Sequence, residues 1–503
     1  MATPGTDDLT GAVRIALDET GPIGATVRQI ASRVAGHPDR VAEVLDELRR
    51  RGDVLRMGRG LFVLRAFERL TERDDFVDPA AFVERFARED GVTLGRYSGP
   101  ITFRSNETLP VHRWWPYVQG YSAEFVAGVV ENAGLSRGAV VLDPFSGSGT
   151  TLVEARRAGA RALGTELLAP AVLAARVKTT FELDPRALVA AGERVLARAR
   201  RRPVGALPFL RETRRQFDPV SLRELTRLRD ALPPEGASLS DAVRLAFGRV
   251  LIPSSRLHRS PCLGYGKRDS GPATPPFERF RVAVDEMAED LTALRTTRAR
   301  WGLPATVAAR DARVGGWRAR SVALAVTSPP YVNGMDYVMN YKVDLAWLGY
   351  ARSYADLAAI RRAQVACDNL PRHEAAPYLD TSTVEDPWLA EVLGRIRENL
   401  SRKGTYRRND VHAIVHRYFA DLRPVLDGVY RALAPGGKLV VVVGDSLLAG
   451  TYVPGDLLLA RLGAARGFHI ASVEVARRRR SGQRRNFELR ESIVTLERPR
   501  SAR

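Results

Sequence analysis

At 503 residues, 45% hydrophobic and 27% charged, the chain has an ordinary globular composition with enough apolar mass for a sizeable core, and its length suggests about three domains. No apolar stretch is long enough to cross a bilayer and no basic-then-apolar leader pattern opens the chain, which predicts a cytoplasmic protein without a membrane partner. Two cysteines, Cys262 and Cys367, argue against a disulfide framework or a zinc cluster, and no metal site is expected. The net charge of +19 favours a polyanionic partner, but nearly all of it is Arg beside abundant Ala and Gly, a bias that a GC-rich genome produces without selection for nucleic-acid binding.

In chain order, residues 1–66 read as a small separate unit. Helices are predicted over Asp8 to Glu19, with Leu9, Val13, Ile15 and Leu17 apolar, over Thr26 to Val34, and over Asp39 to Arg51, with Val41, Val44, Leu45 and Leu48 inward. Val54 to Leu64 reads as two strands around a Gly-containing turn. Three helices and a β-wing resemble a winged helix-turn-helix, which implies either DNA binding or a protein-contact module. Arg28, Arg33, Arg40, Arg56 and Arg59 are its candidate phosphate contacts. Residues 67–110 form a polar connector with one helix near Pro79 to Arg88.

An aromatic stretch follows, Trp114-Trp115-Pro116-Tyr117, then a helix over Ala123 to Ala133. Next comes Val140-Val141-Leu142-Asp143-Pro144-Phe145-Ser146-Gly147-Ser148-Gly149-Thr150-Thr151, a buried strand, a Gly-rich turn and a helix start. No Gly-Lys-Ser/Thr follows, so this is not a phosphate loop. Asp143 suits a cationic ligand, the α-ammonium and sulfonium of S-adenosylmethionine. The pattern closely resembles the Asp-Pro-Phe-x-Gly-Ser-Gly-Thr-Thr cofactor motif of the DNA amino-methyltransferases. That resemblance implies cofactor binding by Asp143, Phe145, Gly147, Gly149 and Thr150. It also implies that the aromatic turn with Tyr117 covers the methionine end, the alternative being plain core packing. A second strand, Arg161 to Glu166, puts Glu166 where an acid accepts from ribose hydroxyls. A third, Ala305 to Ala309, leads to Asp311, which in the family takes the adenine amino group; Arg310 stands where the family usually has Gly.

Between strands two and three, residues 183–300 carry helical patterns at Pro185–Arg202, Ser221–Leu232, Leu239–Val250 and Phe277–Thr297. The basic loop within them, Ser254 to Arg268 with Arg259, Lys267 and Arg268, is either a nucleic-acid or target-recognition contact or a solvated loop. Pro261-Cys262 evokes the nucleophile of C5-cytosine enzymes but lies away from strand four, so Cys262 is given a structural role.

Strand four, Val322 to Val326, ends in Thr327-Ser328-Pro329-Pro330-Tyr331. Two prolines force a stiff extended turn, which holds a hydroxyl, carbonyls and a ring at the carboxyl edge of a sheet, where α/β proteins bind ligands. That set suits a planar base with an exocyclic NH2. The residues resemble the Ser/Asp/Asn-Pro-Pro-Tyr/Phe catalytic motif of the same methyltransferases. The Ser form leans toward N4 of cytosine, a hint weakened because many N4 enzymes carry the two motifs in the reverse order. Residues 351–410 read as a lid or DNA-facing insertion, and Val411 to Leu433 as a long helix. Lys438 to Asp445 is strand five, and Phe468 to Ala476 with Glu491 to Glu497 forms a closing antiparallel pair. Between that pair, the basic run Arg477 to Asn486, with Arg479, Arg484 and Arg485, is either a phosphate footprint or a surface hairpin.

The expected architecture is therefore a Rossmann-like class I methyltransferase α/β sheet (111–182 and 301–503) with a helical insertion (183–300) as candidate target-recognition region, plus the N-terminal unit. The function the resemblance implies is methyl transfer from S-adenosylmethionine to a base amine in DNA, with Ser328, Pro329, Pro330 and Tyr331 at the reacting end, in a restriction–modification or defence setting with cognate proteins. An RNA base methyltransferase and a non-catalytic cofactor-sensing regulator are the alternatives.

Overall fold

The computed structural model describes residues 6–20, 25–57, 61–64, 79–259, 262–266, 274–296, 301–332, 334–365, 371–403, 409–480 and 488–500. The chain divides into two compact units, one of Met1–Glu84, Ala376–Ala413 and Leu447–Val453, the other of Arg85–Ala375, Ile414–Ser446 and Pro454–Arg503.

In the first unit, helices Thr6–Thr20, Val27–Arg33 and Pro38–Arg50 pack around Val13, Leu17, Ile30, Val41, Leu45 and Leu48. Strands β1 (Ala25–Thr26), β2 (Val54–Met57) and β3 (Leu61–Leu64) form an antiparallel sheet in the order β1-β3-β2. Thr26 and Gln29 make a reciprocal capping box that starts the second helix, and Pro38 at the first turn starts the third. Arg28 and Arg40 are exposed, whereas Arg59 lies outside the described residues. The helix Pro387–Lys403 belongs to the same unit; its Trp388 packs 5.5 Å from Phe82, and its Asn399 donates to Thr451 at 2.8 Å. The stretch expected as a lid is thus largely helical where it is described, with Tyr354–Ala363 a further helix of it in the second unit.

The second unit is built on an eight-stranded sheet. In chain order its members are β4 (Leu94–Arg96), β5 (Val140–Asp143), β6 (Arg161–Glu166), β9 (Thr306–Ala309), β10 (Val322–Thr327), β11 (Leu433–Gly444), β14 (His469–Arg480) and β15 (Glu488–Glu497). A small hairpin of this unit pairs β7 (Leu257–Arg259) with β8 (Leu263–Tyr265), and β12 (Ser446–Leu448) pairs with β13 (Thr451–Val453) in the segment Leu447–Val453 that belongs to the first unit. The spatial order is β4-β14-β15-β11-β10-β5-β6-β9. The run from β9 to β11 is parallel, and β15 enters antiparallel to β11. This is the Rossmann-like α/β arrangement that the apolar runs at 140–142, 322–326 and 439–443 require, since strands covered on both faces carry no polar alternation. From β5 the chain winds outward one way through β6 and β9, then returns to β10 beside β5 and winds the other way. The carboxyl ends of β5 and β10 therefore meet at the topological switch point, where such sheets bind ligands.

Two expectations are corrected. The connector holds a strand, β4, paired in parallel to β14 at the sheet edge. The basic run is not a loop from Arg477 onward: β14 continues through Arg480, laddered against Leu489, Arg490 and Glu491, because those partners extend the antiparallel pairing past the apolar segment.

At the start of the helix Gly455–Ala464, Asp456 is fully buried and accepts from Arg490 at 3.0 and 3.1 Å and from Ser492 at 2.7 Å. Burial pushes its carboxyl up, but Arg490 and the hydroxyl outweigh that and hold it below the ordinary range. Its folded value lies below the unfolded one, so its stabilisation is full at neutral pH and is lost as acid protonates it. Asp456→Ala takes from the buried Arg490 guanidinium one of two carboxylate partners, Asp445 at 3.1 Å being the other, and is expected to cost about 1–3 kcal/mol in urea unfolding at pH 7.

Candidate active site at the carboxyl edge of the sheet

Asp143 ends β5 and is fully buried. Its Oδ2 accepts from the Tyr121 hydroxyl at 2.7 Å, and its Oδ1 from the Thr327 hydroxyl at 2.7 Å and the Phe145 N–H at 3.0 Å. Tyr121 also contacts the Thr151 hydroxyl. Burial raises the carboxyl above its usual range despite these bonds. The expectation that Asp143 faces a cationic ligand is corrected: its oxygens are turned inward, where they join the cofactor loop to the end of β10.

The loop after Asp143 is closed by backbone. Ser146 N–H donates to Thr165 O at 3.0 Å and Gly149 N–H to Ser146 O at 2.7 Å. Gly149 sits at φ +88°, and a Cβ there would lie 3.0 Å from Ala175 Cα on the next helix. Gly147 sits at φ +48°, and its Cβ would press 2.9 Å from the Tyr117 ring. Both positions demand glycine for conformation and for close approach. Thr150 then opens the helix Thr150–Arg157.

Phe145, Gly147, Thr150, Glu166, Asp311, Tyr117, Ser328 and Pro330 line one cavity of about 80 Å³. Glu166, at the end of β6, accepts from Gly147 N–H on one oxygen and from Leu167 and Leu168 N–H on the other, at 2.8–2.9 Å. A carboxylate has about four lone-pair positions, so roughly one remains for a ligand hydroxyl. Asp311 also lines the cavity, with its carboxylate clamped by the Arg313 guanidinium at 2.7–3.1 Å. Ser148 Oγ is buried on the cavity wall without a hydrogen-bond partner. An orphaned hydroxyl, a partly free carboxylate and an aromatic wall fit the polar and apolar parts of S-adenosylmethionine.

The aromatic wall is built from a distance. Asp290, on the helix Pro276–Leu294, accepts from Val111 N–H, the Arg113 guanidinium and Trp114 Nε1–H at 2.7–3.1 Å. Lys178 donates to the carbonyls of His112 and Trp115 at 2.9 and 2.8 Å, and burial pushes its ammonium well down. Tyr117 stacks between Tyr337 and Tyr341, with centroids 5.9 and 5.6 Å away. None of Asp290, Lys178, Tyr121, Thr327 or Ser148 stood out as a site residue in the sequence. Only the adjacency of Thr327 to Ser328, and of Ser148 to its glycines, was a signal.

Pro329 is buried between Ser328 and Pro330. Tyr331 borders a second, larger groove of about 1450 Å³, to which Ser328 is also open. Its hydroxyl donates to Glu491 at 2.6 Å; burial first, and then the carboxylate, push the phenol well up, so it stays protonated. Arg259 borders that groove, and its guanidinium is also held from within: it pairs with buried Asp344, donates to Asn340 O at 3.0 Å and covers the Tyr341 ring at 4.4 Å. Arg479 lies within β14, donates to Asp445 O at 2.6 Å and borders the groove instead of forming a free hairpin tip. Lys267, Arg268, Arg484 and Arg485 lie outside the described residues.

Residues 123–175, from the helix after the aromatic turn through β6 and into the next helix, match a family model described as DNA methylase. The chain is similar to the type II methyltransferase M.BsoBI of Geobacillus stearothermophilus, 23% identical over 452 residues, which cover 79% of this chain and 88% of that one. It is similarly related to the type II methyltransferase M.AvaI of Nostoc, 23% identical over 413 residues and covering 75% and 82%. Among solved structures, TrmN from Thermus thermophilus aligns with 10% identity over 75% of this chain and 48% of that one, at a TM-score of 0.25, too loose to carry an argument.

Two outcomes follow from this geometry. Gly147→Ala drives a methyl into the Tyr117 ring and is expected to weaken S-adenosylmethionine binding by roughly 10-fold in titration calorimetry, about 1.4 kcal/mol. Thr327→Val leaves the buried Asp143 carboxylate short of a donor and is expected to cost about 1–3 kcal/mol of stability, read by urea unfolding.

Proposed function

We propose that this chain, a relative of the DNA amino-methyltransferases, transfers a methyl group from S-adenosylmethionine to the exocyclic amino group of a base in DNA. N4 of cytosine is favoured over N6 of adenine, because Ser heads the catalytic motif, and the role is the modification arm of a restriction or phage-defence system. The observation that carries the reading is the single cavity bordered by both motif loops, Phe145 to Thr150 from β5 and Ser328 with Pro330 from β10, in a chain whose 123–175 segment matches DNA methylases. The larger groove supports a polyanionic substrate, since seven arginines, Arg259, Arg477 and Arg479 among them, border it beside Ser328 and Tyr331 against four glutamates. The exposed Arg28 and Arg40 of the N-terminal helices would add a further phosphate contact.

Tyr117, Phe145, Gly147, Gly149, Thr150, Glu166 and Asp311 hold the cofactor, with Asp143 fixing the loop from behind. S-adenosylmethionine supplies a methyl group activated by its sulfonium. The target base leaves its stack, at a cost of a few kcal/mol. Ser328 Oγ and the Pro329 carbonyl accept hydrogen bonds from its NH2, which turns the nitrogen lone pair toward the cofactor cavity. Tyr331 offers the stacking face, worth roughly 1–3 kcal/mol. No general base with a shifted pKa is needed, and the protein contributes positioning.

Nucleosides from the DNA of expressing cells that lack their own methylases decide the matter by mass spectrometry. N4-methylcytosine is expected, N6-methyladenine would move the assignment to the other base, and label appearing only in RNA would overturn it. Ser328→Ala is expected to lower kcat by roughly 10- to 100-fold while leaving S-adenosylmethionine binding unchanged.

A further inference from the structure

Tyr331 does not simply project from the catalytic turn. Its ring lies across the backbone of β11 at Gly444, where an added Cβ would come within 2.8 Å of one ring carbon and 3.0 Å of the next. Gly444 faces Glu491 on β15 in the ladder, and Glu491 in turn faces Arg477 on β14. Directly opposed residues share a sheet face. The three therefore form one row across the sheet, beneath and beside the ring. The Tyr331 hydroxyl reaches the middle of that row and donates to Glu491 Oε1 at 2.6 Å. Glu491 is 7% exposed, and its second oxygen is paired with the Arg477 guanidinium. All of these groups except Gly444 border the groove proposed for the substrate.

Stacking by itself needs only a ring face, and the motif resemblance tolerates Phe in place of Tyr. Here the hydroxyl is engaged by a carboxylate that is itself held by an arginine, and the strand beneath has no side chain.

We propose that Glu491 and Gly444 are positioning residues that mount the Tyr331 ring as a fixed stacking platform for the target base. Glu491 and Gly444 touch neither cofactor nor reacting nitrogen; they act through Tyr331. The proposal rests on the methyltransferase reading above and adds what fixes its stacking side chain. It also explains the Gly at the end of strand five, where a residue with a side chain would displace the ring.

The test uses the full-length protein, plasmid DNA from a methylation-deficient host, and tritiated S-adenosylmethionine. Tyr331→Phe keeps the ring and removes only the hydroxyl. It is expected to lower kcat by about 10-fold, the effect of losing one charge-assisted orienting hydrogen bond, with S-adenosylmethionine affinity within about twofold of the parent. Gly444→Ala is expected to act in the same direction by pushing the ring off its seat. The double variant Tyr331→Phe/Glu491→Ala is expected to be no slower than Tyr331→Phe alone, because the carboxylate has no other route to the base. Wild-type kcat in Tyr331→Phe, or additive losses in the double variant, would overturn the proposal. A crystal structure of Gly444→Ala gives a readout independent of turnover: the ring is expected to leave its place over residue 444, and a ring left in that place would equally overturn the mount. If the parent enzyme itself methylates no DNA, the functional reading fails, and the crystal structure still decides the positioning claim.

Discussion

The contact between Thr327 and Asp143 is the constraint from which the rest of the site takes its geometry. A fully buried carboxylate is tolerated only when donors surround it, and this one collects the hydroxyls of Thr327 and Tyr121 and the N–H of Phe145. One of those donors precedes Ser328 by a single residue. Another opens the glycine loop. The third sits just before the helix that leads into β5. Two loops from neighbouring parallel strands are thereby referenced to one pair of oxygens, so the distance between the cofactor cavity and the reacting turn is not left to loop flexibility. The acid in the cofactor motif serves this purpose from behind the loop, with both carboxylate oxygens engaged by protein donors.

The aromatic wall obeys the same logic on a larger scale. Tyr117 reaches the cavity from a turn with little regular structure of its own, beginning at Val111 with φ +71°. What holds the turn is polar and buried: Asp290 from an insertion helix takes three groups of it, and Lys178 takes two carbonyls. The lysine has no carboxylate beside its ammonium among the bonds the structure shows, which is why burial pushes it down. The insertion between β6 and β9 is therefore part of the cofactor wall's support. Its helices share one apolar core with Trp114, Trp115 and the helix that follows β6.

The arginines explain why net charge overstated the surface footprint. Arg156, Arg259, Arg313, Arg417 and Arg490 lie inside the second unit with named carboxylate or carbonyl partners. The planar guanidinium suits such buried, bidentate pairing better than a lysine ammonium does. Individual arginines can thus be held by internal partners, although such pairing leaves the net charge unchanged, and those that border the groove beside Ser328 and Tyr331 bear on a polyanionic substrate.

The amino-acid sequence alone determined the parallel strands, their order along the chain and the two motif loops, because apolar runs, glycines and adjacent prolines constrain the backbone locally. It also determined that the glycine loop binds close to a ligand, since only Gly tolerates the conformations at 147 and 149. The tertiary structure decided which way side chains point and which distant residues they meet. Asp143 turned inward because Thr327, 184 residues later, supplies its donor. Arg259 gained an internal partner, Asp344, 85 residues later, while it still borders the groove. Tyr331 acquired a carboxylate partner 160 residues away, on a strand that enters the sheet only at its end. Spacing and periodicity report on neighbours within a turn or a strand. Hydrogen bonds across a folded sheet depend on strand order, and that is settled only when the strands have paired.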